Sequence, residues 1–88
     1  MNITKYLVEF TGSLIFAFTI FAYKNPYINA IALIILVLFT GSYTYFNPAI
    51  TFAFYSAGDL TKNDLMPYLL AQVLGGLAGY EIYSFVKN

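Results

Sequence analysis

The sequence predicts an all-α membrane protein with three transmembrane helices and one re-entrant half-helix. The 88 residues are 60% apolar and only 9% charged, whereas soluble domains are about 45–50% apolar and about 25% charged. The apolar residues fall into three long runs and one interrupted run. Four basic and four acidic side chains are too few to cover the surface of a small soluble domain, so lipid is the expected solvent.

The composition also excludes several classes of function. The chain has no cysteine and no histidine, which rules out thiol chemistry and removes the commonest general base and metal ligand. We therefore expect no catalytic residues, no metal site and no cofactor. Net charge is zero, so no basic surface indicates nucleic acid. The expected surroundings are a lipid bilayer, and the sequence does not say which membrane.

The first two spans are separated by a short polar break. A membrane-spanning helix needs about 20 mostly apolar residues, and the chain offers the ranges of about 3–23 and about 27–42. Glu9 lies inside the first span, where an ionisable residue is expected to face the bundle interior and have a partner. Gly12 and Phe16 share its helical stripe, which is therefore the predicted inward face.

The range of about 43–58 is too apolar for a solvated loop and too interrupted for a continuous helix. Asn47 is typical of a helix N-cap, Pro48 of a first helical residue, and Gly58 of a helix stop. The enclosed helix would be about 15 Å long, about half the hydrocarbon thickness. We predict a re-entrant segment, which is the usual pointer to a permeation or binding site. The alternative is an amphipathic helix on the membrane surface.

The third span is predicted at about 65–86. Its Ala71, Gly75 and Gly79 recur every four residues, a spacing that lets helix backbones pack closely in lipid. Gln72 and Gly76 lie on a neighbouring stripe of the same helix. We expect these small residues to pack helices rather than to bind a ligand.

Three motifs, in order along the chain, resemble the aquaporin and glycerol-facilitator (major intrinsic protein) family. They are VEFTGS at 8–13, FNPAIT at 46–51 and AQVLGG at 71–76. The resemblance covers essentially all 88 residues and is to the N-terminal half of a family member, a half-aquaporin repeat. Family members carry two such halves, inverted relative to each other, and this sequence has one.

The resemblance implies roles for the matching residues. Asn47 would donate its amide to a passing water or hydroxyl, and Pro48 and Ala49 would shape the tip of the half-helix. Glu9 and Gln72 would brace the re-entrant loop. The further candidates for lining the pore or setting its selectivity are Phe16, Tyr27, Tyr43, Thr44, Tyr45, Phe46 and Ile50. The candidates for helix packing are Gly12, Ala71, Gly75, Gly76 and Gly79.

These features predict a passive channel for water or small neutral solutes such as glycerol. One half encloses only part of a pore and would leave the backbone of the re-entrant loop facing lipid. Lys5 and Lys62 fall on one side and Lys24 and Lys87 on the other, so the charge bias that sets orientation is absent. We therefore predict dual topology and an antiparallel homodimer or a higher homo-oligomer. Ile50 stands where the family's second half has its constriction arginine, so we expect a less strict filter than that of a water-only channel.

Two other interpretations stay open. The chain is a half-subunit that needs a separately encoded second half, or it is a non-transporting fragment that modulates full-length family members. An ion channel or proton carrier is disfavoured because Asp59 and Asp64 fall in the loop and Glu9 has no second buried carboxylate with which to form a relay.

Overall fold

The computed structural model describes residues 3–40 and 46–87. These residues form four helices, α1 (Thr4–Ala22), α2 (Pro26–Thr40), α3 (Pro48–Ser56) and α4 (Lys62–Val86). The all-α prediction is thereby confirmed. Helix α4 begins three residues before the predicted apolar run because the Thr61 side chain accepts a hydrogen bond from the Asp64 amide and caps the helix.

Helices α1 and α2 form a hairpin with a very short link. Helix α1 ends where Tyr23 turns extended. The Asn25 side-chain oxygen then accepts from the amides of Tyr27, at 2.9 Å, and Ile28, at 3.3 Å. Since Pro26 has no amide proton, Asn25 satisfies the donors that the start of α2 would otherwise leave open.

Helices α1 and α4 run parallel and pack closely together. A Cβ atom added to Gly75 would overlap the Phe10 carbonyl oxygen, and one added to Gly79 would overlap the Leu14 carbonyl oxygen. Only glycine allows the two backbones to approach to this distance.

The parallel arrangement gives the bundle two distinct ends. At end A, where α1 and α4 begin, the Tyr6 and Tyr68 rings meet edge to face, with centroids 5.1 Å apart. At end B, where both helices finish, Phe21 meets Tyr80 at 5.0 Å and Tyr83 at 5.7 Å.

Helix α3 starts midway along the bundle and returns to end A. Its nine residues correspond to a length of about 14 Å. Phe46, just before α3, contacts Glu9 of α1. Leu60, just after α3, is buried in a cluster with Tyr6 and Tyr68 at end A. The chain therefore leaves α2 and enters α4 at the same end of the bundle.

The outside of the bundle is apolar. No residue of α2 is buried, and large side chains such as Phe39, Leu38 and Phe85 are 87%, 77% and 88% exposed. Helices α1 and α4 are long and apolar enough to cross a membrane, while α2 is a shorter apolar helix of 15 residues. Only 22% of the residues in each candidate span are buried, so these helices are not the enclosed core of a soluble domain.

Candidate functional site

A buried carboxylate connects α1 to the start of α3. Glu9 has no exposed surface. Its Oε1 accepts a hydrogen bond from the Phe46 amide at 2.8 Å and another from Gln72 Nε2 at 2.9 Å. One oxygen atom therefore holds the segment before α3 and the middle of α4 in a fixed relation.

Thr51 is the third member of this network. It is fully buried, and its Oγ1 accepts from Gln72 Nε2 at 2.7 Å. The same Oγ1 lies 2.9 Å from Gln72 Oε1 and 3.1 Å from the Asn47 carbonyl oxygen. A hydroxyl has one proton, so it donates to one of these two acceptors at a time. Sequence reasoning did not single out Thr51, although it stands one helical turn after the cap in the quoted FNPAIT motif.

Phe46 carries an unusual backbone conformation. Its φ of 52° is positive, which costs a non-glycine residue on the order of 1–3 kcal/mol. Two contacts offset this cost. The Phe46 amide donates a hydrogen bond to Glu9, and the Phe46 ring packs directly against Gly12, where an added Cβ would overlap the ring. The Gly12 position thus serves the loop before α3 rather than a helix–helix contact.

Asn47 caps the half-helix and lies exposed at its tip. Its side-chain oxygen accepts from the Ala49 amide at 2.8 Å, which commits that oxygen to the helix and leaves the Nδ2 protons as the donating group. The partial positive charge at the start of a helix, about half an elementary charge, falls at the same point. Pro48 is half-buried, while Ala49 and Ile50 are exposed beside Asn47.

The other predicted pore residues are not all brought together within one chain. Phe16 is half-buried in α1. Tyr27 is 79% exposed at the start of α2, at end B, whereas Ile50 lies in the first turn of α3, which starts midway along the bundle. Tyr43, Thr44 and Tyr45 lie outside the described residues.

The small residues of α4 divide into two groups. Gly75 and Gly79 approach the backbone of α1, and Ala71 packs against the aromatic cluster at end A. Gly76 differs, because a Cβ there would meet nothing within 4 Å. Within the described part of this chain, Gly76 therefore makes no close helix contact of the kind predicted for it.

A second polar cluster, which sequence reasoning missed, ties the helix starts together at end A. Lys5 Nζ lies 3.1 Å from Asp64 Oδ1, and the Tyr6 hydroxyl donates to the same carboxylate oxygen. Thr61 donates to the other oxygen at 3.2 Å. The sequence signal was the capping segment TKND at 61–64, whose carboxylate also reaches α1.

Along residues 3–40 and 46–87, no group of three or more His, Cys, Asp or Glu residues could hold a metal ion. The tip of α3 itself presents the Asn47 amide donor and the positive end of the helix dipole. Such an arrangement can bind and orient a small neutral molecule.

Comparison with known proteins gives a consistent assignment. Residues 1–88 match the family described as major intrinsic protein. A curated relative, aquaglyceroporin AqpS of Rhizobium meliloti (strain 1021), is 39% identical over 57 residues, which are 62% of this chain and 24% of that protein. The match thus spans about a quarter of the relative's length. No solved structure matches the chain.

Proteins of this family sit in the lipid bilayer, form oligomers and act as channels rather than enzymes. The predicted absence of enzymatic activity and the predicted membrane location are confirmed by this membership. A family match over the full length of the sequence, with two helices able to cross a membrane, leads to one conclusion: the chain belongs to the major intrinsic protein family and is an integral membrane protein.

Proposed function

We propose that this chain forms a passive channel for water and small neutral solutes when two copies associate in antiparallel orientation. The observation that carries the proposal is the exposed tip of α3. Asn47 lies there with its amide nitrogen available, and the Glu9–Gln72–Thr51 network holds the tip in place.

The tip has the chemistry of a permeation site. A positive helix end and neutral amide donors repel cations while they bind the oxygen of water or an alcohol. The fold supports a re-entrant path, since the chain enters and leaves the α3 region at end A and α3 is about half a bilayer long. In this arrangement α1, α2 and α4 cross the membrane.

One copy leaves the path incomplete. The exposed apolar surface of α2 and α3 needs lipid or protein against it, and irregular backbone is tolerated at membrane depth only against protein or a water-filled cavity. Two parallel copies would bring both half-helices in from the same side. An antiparallel pair lets the two tips meet near the midplane.

The lysines are compatible with both orientations. End A carries Lys5 and Lys62, and end B carries Lys24 and Lys87, so the count that normally orients a membrane protein is balanced. Replacing Lys24 and Lys87 with Asn should fix one orientation and abolish flux. Unchanged flux from such a uniformly oriented protein would contradict antiparallel pairing.

The selectivity follows from the side chains that the pair brings in. All four basic residues are lysines, so two copies supply Ile50 twice and no arginine. An apolar residue near the tip favours solutes with carbon as well as hydroxyl groups, and the curated relative is named an aquaglyceroporin. We therefore expect glycerol to pass as well as water.

Stopped-flow swelling of liposomes that contain this chain alone tests the proposal. Asn47→Asp keeps a good capping residue but replaces the amide donor with a negative charge, so water and glycerol flux should fall to the level of protein-free liposomes. Asn63→Asp makes the same change at an exposed position in the first turn of α4 and should leave flux unchanged.

Two outcomes of the swelling assay on the unmodified chain would contradict the proposal. No flux from protein shown to be folded and inserted would favour a half-subunit that needs a separate second half, or a non-transporting fragment. Water flux with complete rejection of glycerol would contradict the proposed selectivity.

A further inference from the structure

End B carries an aromatic cluster that no part of the proposed pore uses. Phe21 of α1 stacks on Tyr83 of α4, with ring centroids 5.7 Å apart and an interplanar angle of 27°. Tyr80 meets Phe21 edge to face at 5.0 Å, and Phe18 meets Tyr83 at 6.4 Å. These four rings join the last turns of the two long helices into one surface.

Two lysines flank the stacked pair. Lys24 Nζ lies 5.1 Å from the centroid of the Phe21 ring, and Lys87 Nζ lies 5.8 Å from the centroid of the Tyr83 ring. Both lysines are exposed. Within the described ranges neither of them has a carboxylate partner, and Glu81, also at this end, forms no ion pair.

End A differs in the way its lysine is used. Lys5 also lies over aromatic rings, those of Tyr6 and Tyr68, but its ammonium group pairs with Asp64 at 3.1 Å. Among the described residues, the same combination of cation and aromatic ring therefore has a carboxylate partner at end A and none at end B.

We infer that the surface formed by Phe21, Tyr83, Lys24 and Lys87 binds the phosphate headgroup of an anionic phospholipid. Aromatic rings at the end of a membrane-spanning helix lie at headgroup depth, and lysines there reach toward the interface. Basic groups between helix ends are suited to anionic headgroups. The nearby start of α2 cannot take this role, because Asn25 already occupies its amides.

The test compares short-chain phosphatidylglycerol with phosphatidylcholine of the same chain length. The purified full chain in detergent is titrated with each lipid and the bound lipid is counted by native mass spectrometry, with inorganic phosphate titrated in parallel. A lysine near an anionic surface contributes about 1 kcal/mol, which corresponds to about fivefold in affinity. Lys24→Gln and Lys87→Gln should each weaken phosphatidylglycerol binding by about fivefold, and Lys24→Arg and Lys87→Arg should retain it.

Lys62→Gln is the matched control, because it removes one exposed positive charge at end A. It should change the affinity for phosphatidylglycerol by less than twofold. An equal loss in Lys62→Gln would show that net charge alone attracts the lipid and would overturn the inference. Equal affinity for the two lipids, or inorganic phosphate binding as tightly as phosphatidylglycerol, would also overturn it.

Discussion

Two adjacent glycines of α4 offer a sharp test of how the bundle is held together. Alanine at Gly75 would place its Cβ over the Phe10 carbonyl oxygen and 3.0 Å from the Ser13 Cβ, whereas alanine at Gly76 would meet nothing within 4 Å. The first overlap involves backbone, so α1 and α4 must separate to relieve it. Overpacking of this kind costs about 1–3 kcal/mol.

Both substitutions also gain helix propensity, which is about 1 kcal/mol for alanine over glycine. This gain is common to the pair and cancels in their comparison. Gly75→Ala should therefore be less stable than Gly76→Ala by about 1–3 kcal/mol, with Gly76→Ala at or above the stability of the wild type.

The assay is SDS titration of the protein in mixed micelles, followed by circular dichroism. The free energy of unfolding of each variant is compared with that of the wild type, and flux is measured separately in liposomes. Equal loss of stability in both variants would refute the reasoning, because it would show that the approach of the α1 backbone to Gly75 is not the source of the effect.

Three further predictions concern the polar clusters. Glu9→Ala removes the acceptor for two donors and should lower the free energy of unfolding by about 2–4 kcal/mol in the same SDS titration. Glu9→Gln keeps an oxygen that both donors can reach, so its loss of stability should be less than half as large. Equal losses in the two variants would contradict the geometry. Thr51→Val keeps the shape of the side chain but removes the hydroxyl that Gln72 contacts, and it should cost about 1–2 kcal/mol, while Thr51→Ser should stay close to the wild type. Asp64→Asn breaks a partly exposed ion pair at end A. The loss of stability should be about 1 kcal/mol or less, and it should shrink at about 1 M salt. A loss that does not depend on salt would show that hydrogen bonds to this carboxylate matter more than its charge.

The sequence correctly predicted features that depend on the residue type and on contacts within one helical turn. Asn47 followed by Pro48 predicted the start of α3, because the cap and the fixed proline φ act within a single turn. The polar break after Tyr23 predicted the hairpin between α1 and α2. The inward position of Glu9 followed from the high cost of an unpaired carboxylate in lipid.

Sequence reasoning was less successful where a role depends on a neighbouring helix. Gly75 and Gly76 are adjacent and chemically identical, yet only Gly75 meets the α1 backbone. Thr51 was overlooked because a threonine inside an apolar helix is unremarkable until Gln72 is placed 2.7 Å away. The positive φ of Phe46 could not be predicted from the sequence, because glycine is the usual residue in that conformation and a bulky aromatic residue gives no indication of it.

The sequence by itself determined that this protein is helical, that it belongs in lipid, and that its third helix is short and capped by Asn47. Those properties depend on composition, on apolar run length and on contacts within one turn. The tertiary structure alone decided that Thr51 joins the Glu9–Gln72 network, which glycines of α4 approach the α1 backbone, and which lysine of the described residues pairs with a carboxylate. Each of these depends on distances between residues tens of positions apart in the chain, and helix rotation and register set those distances.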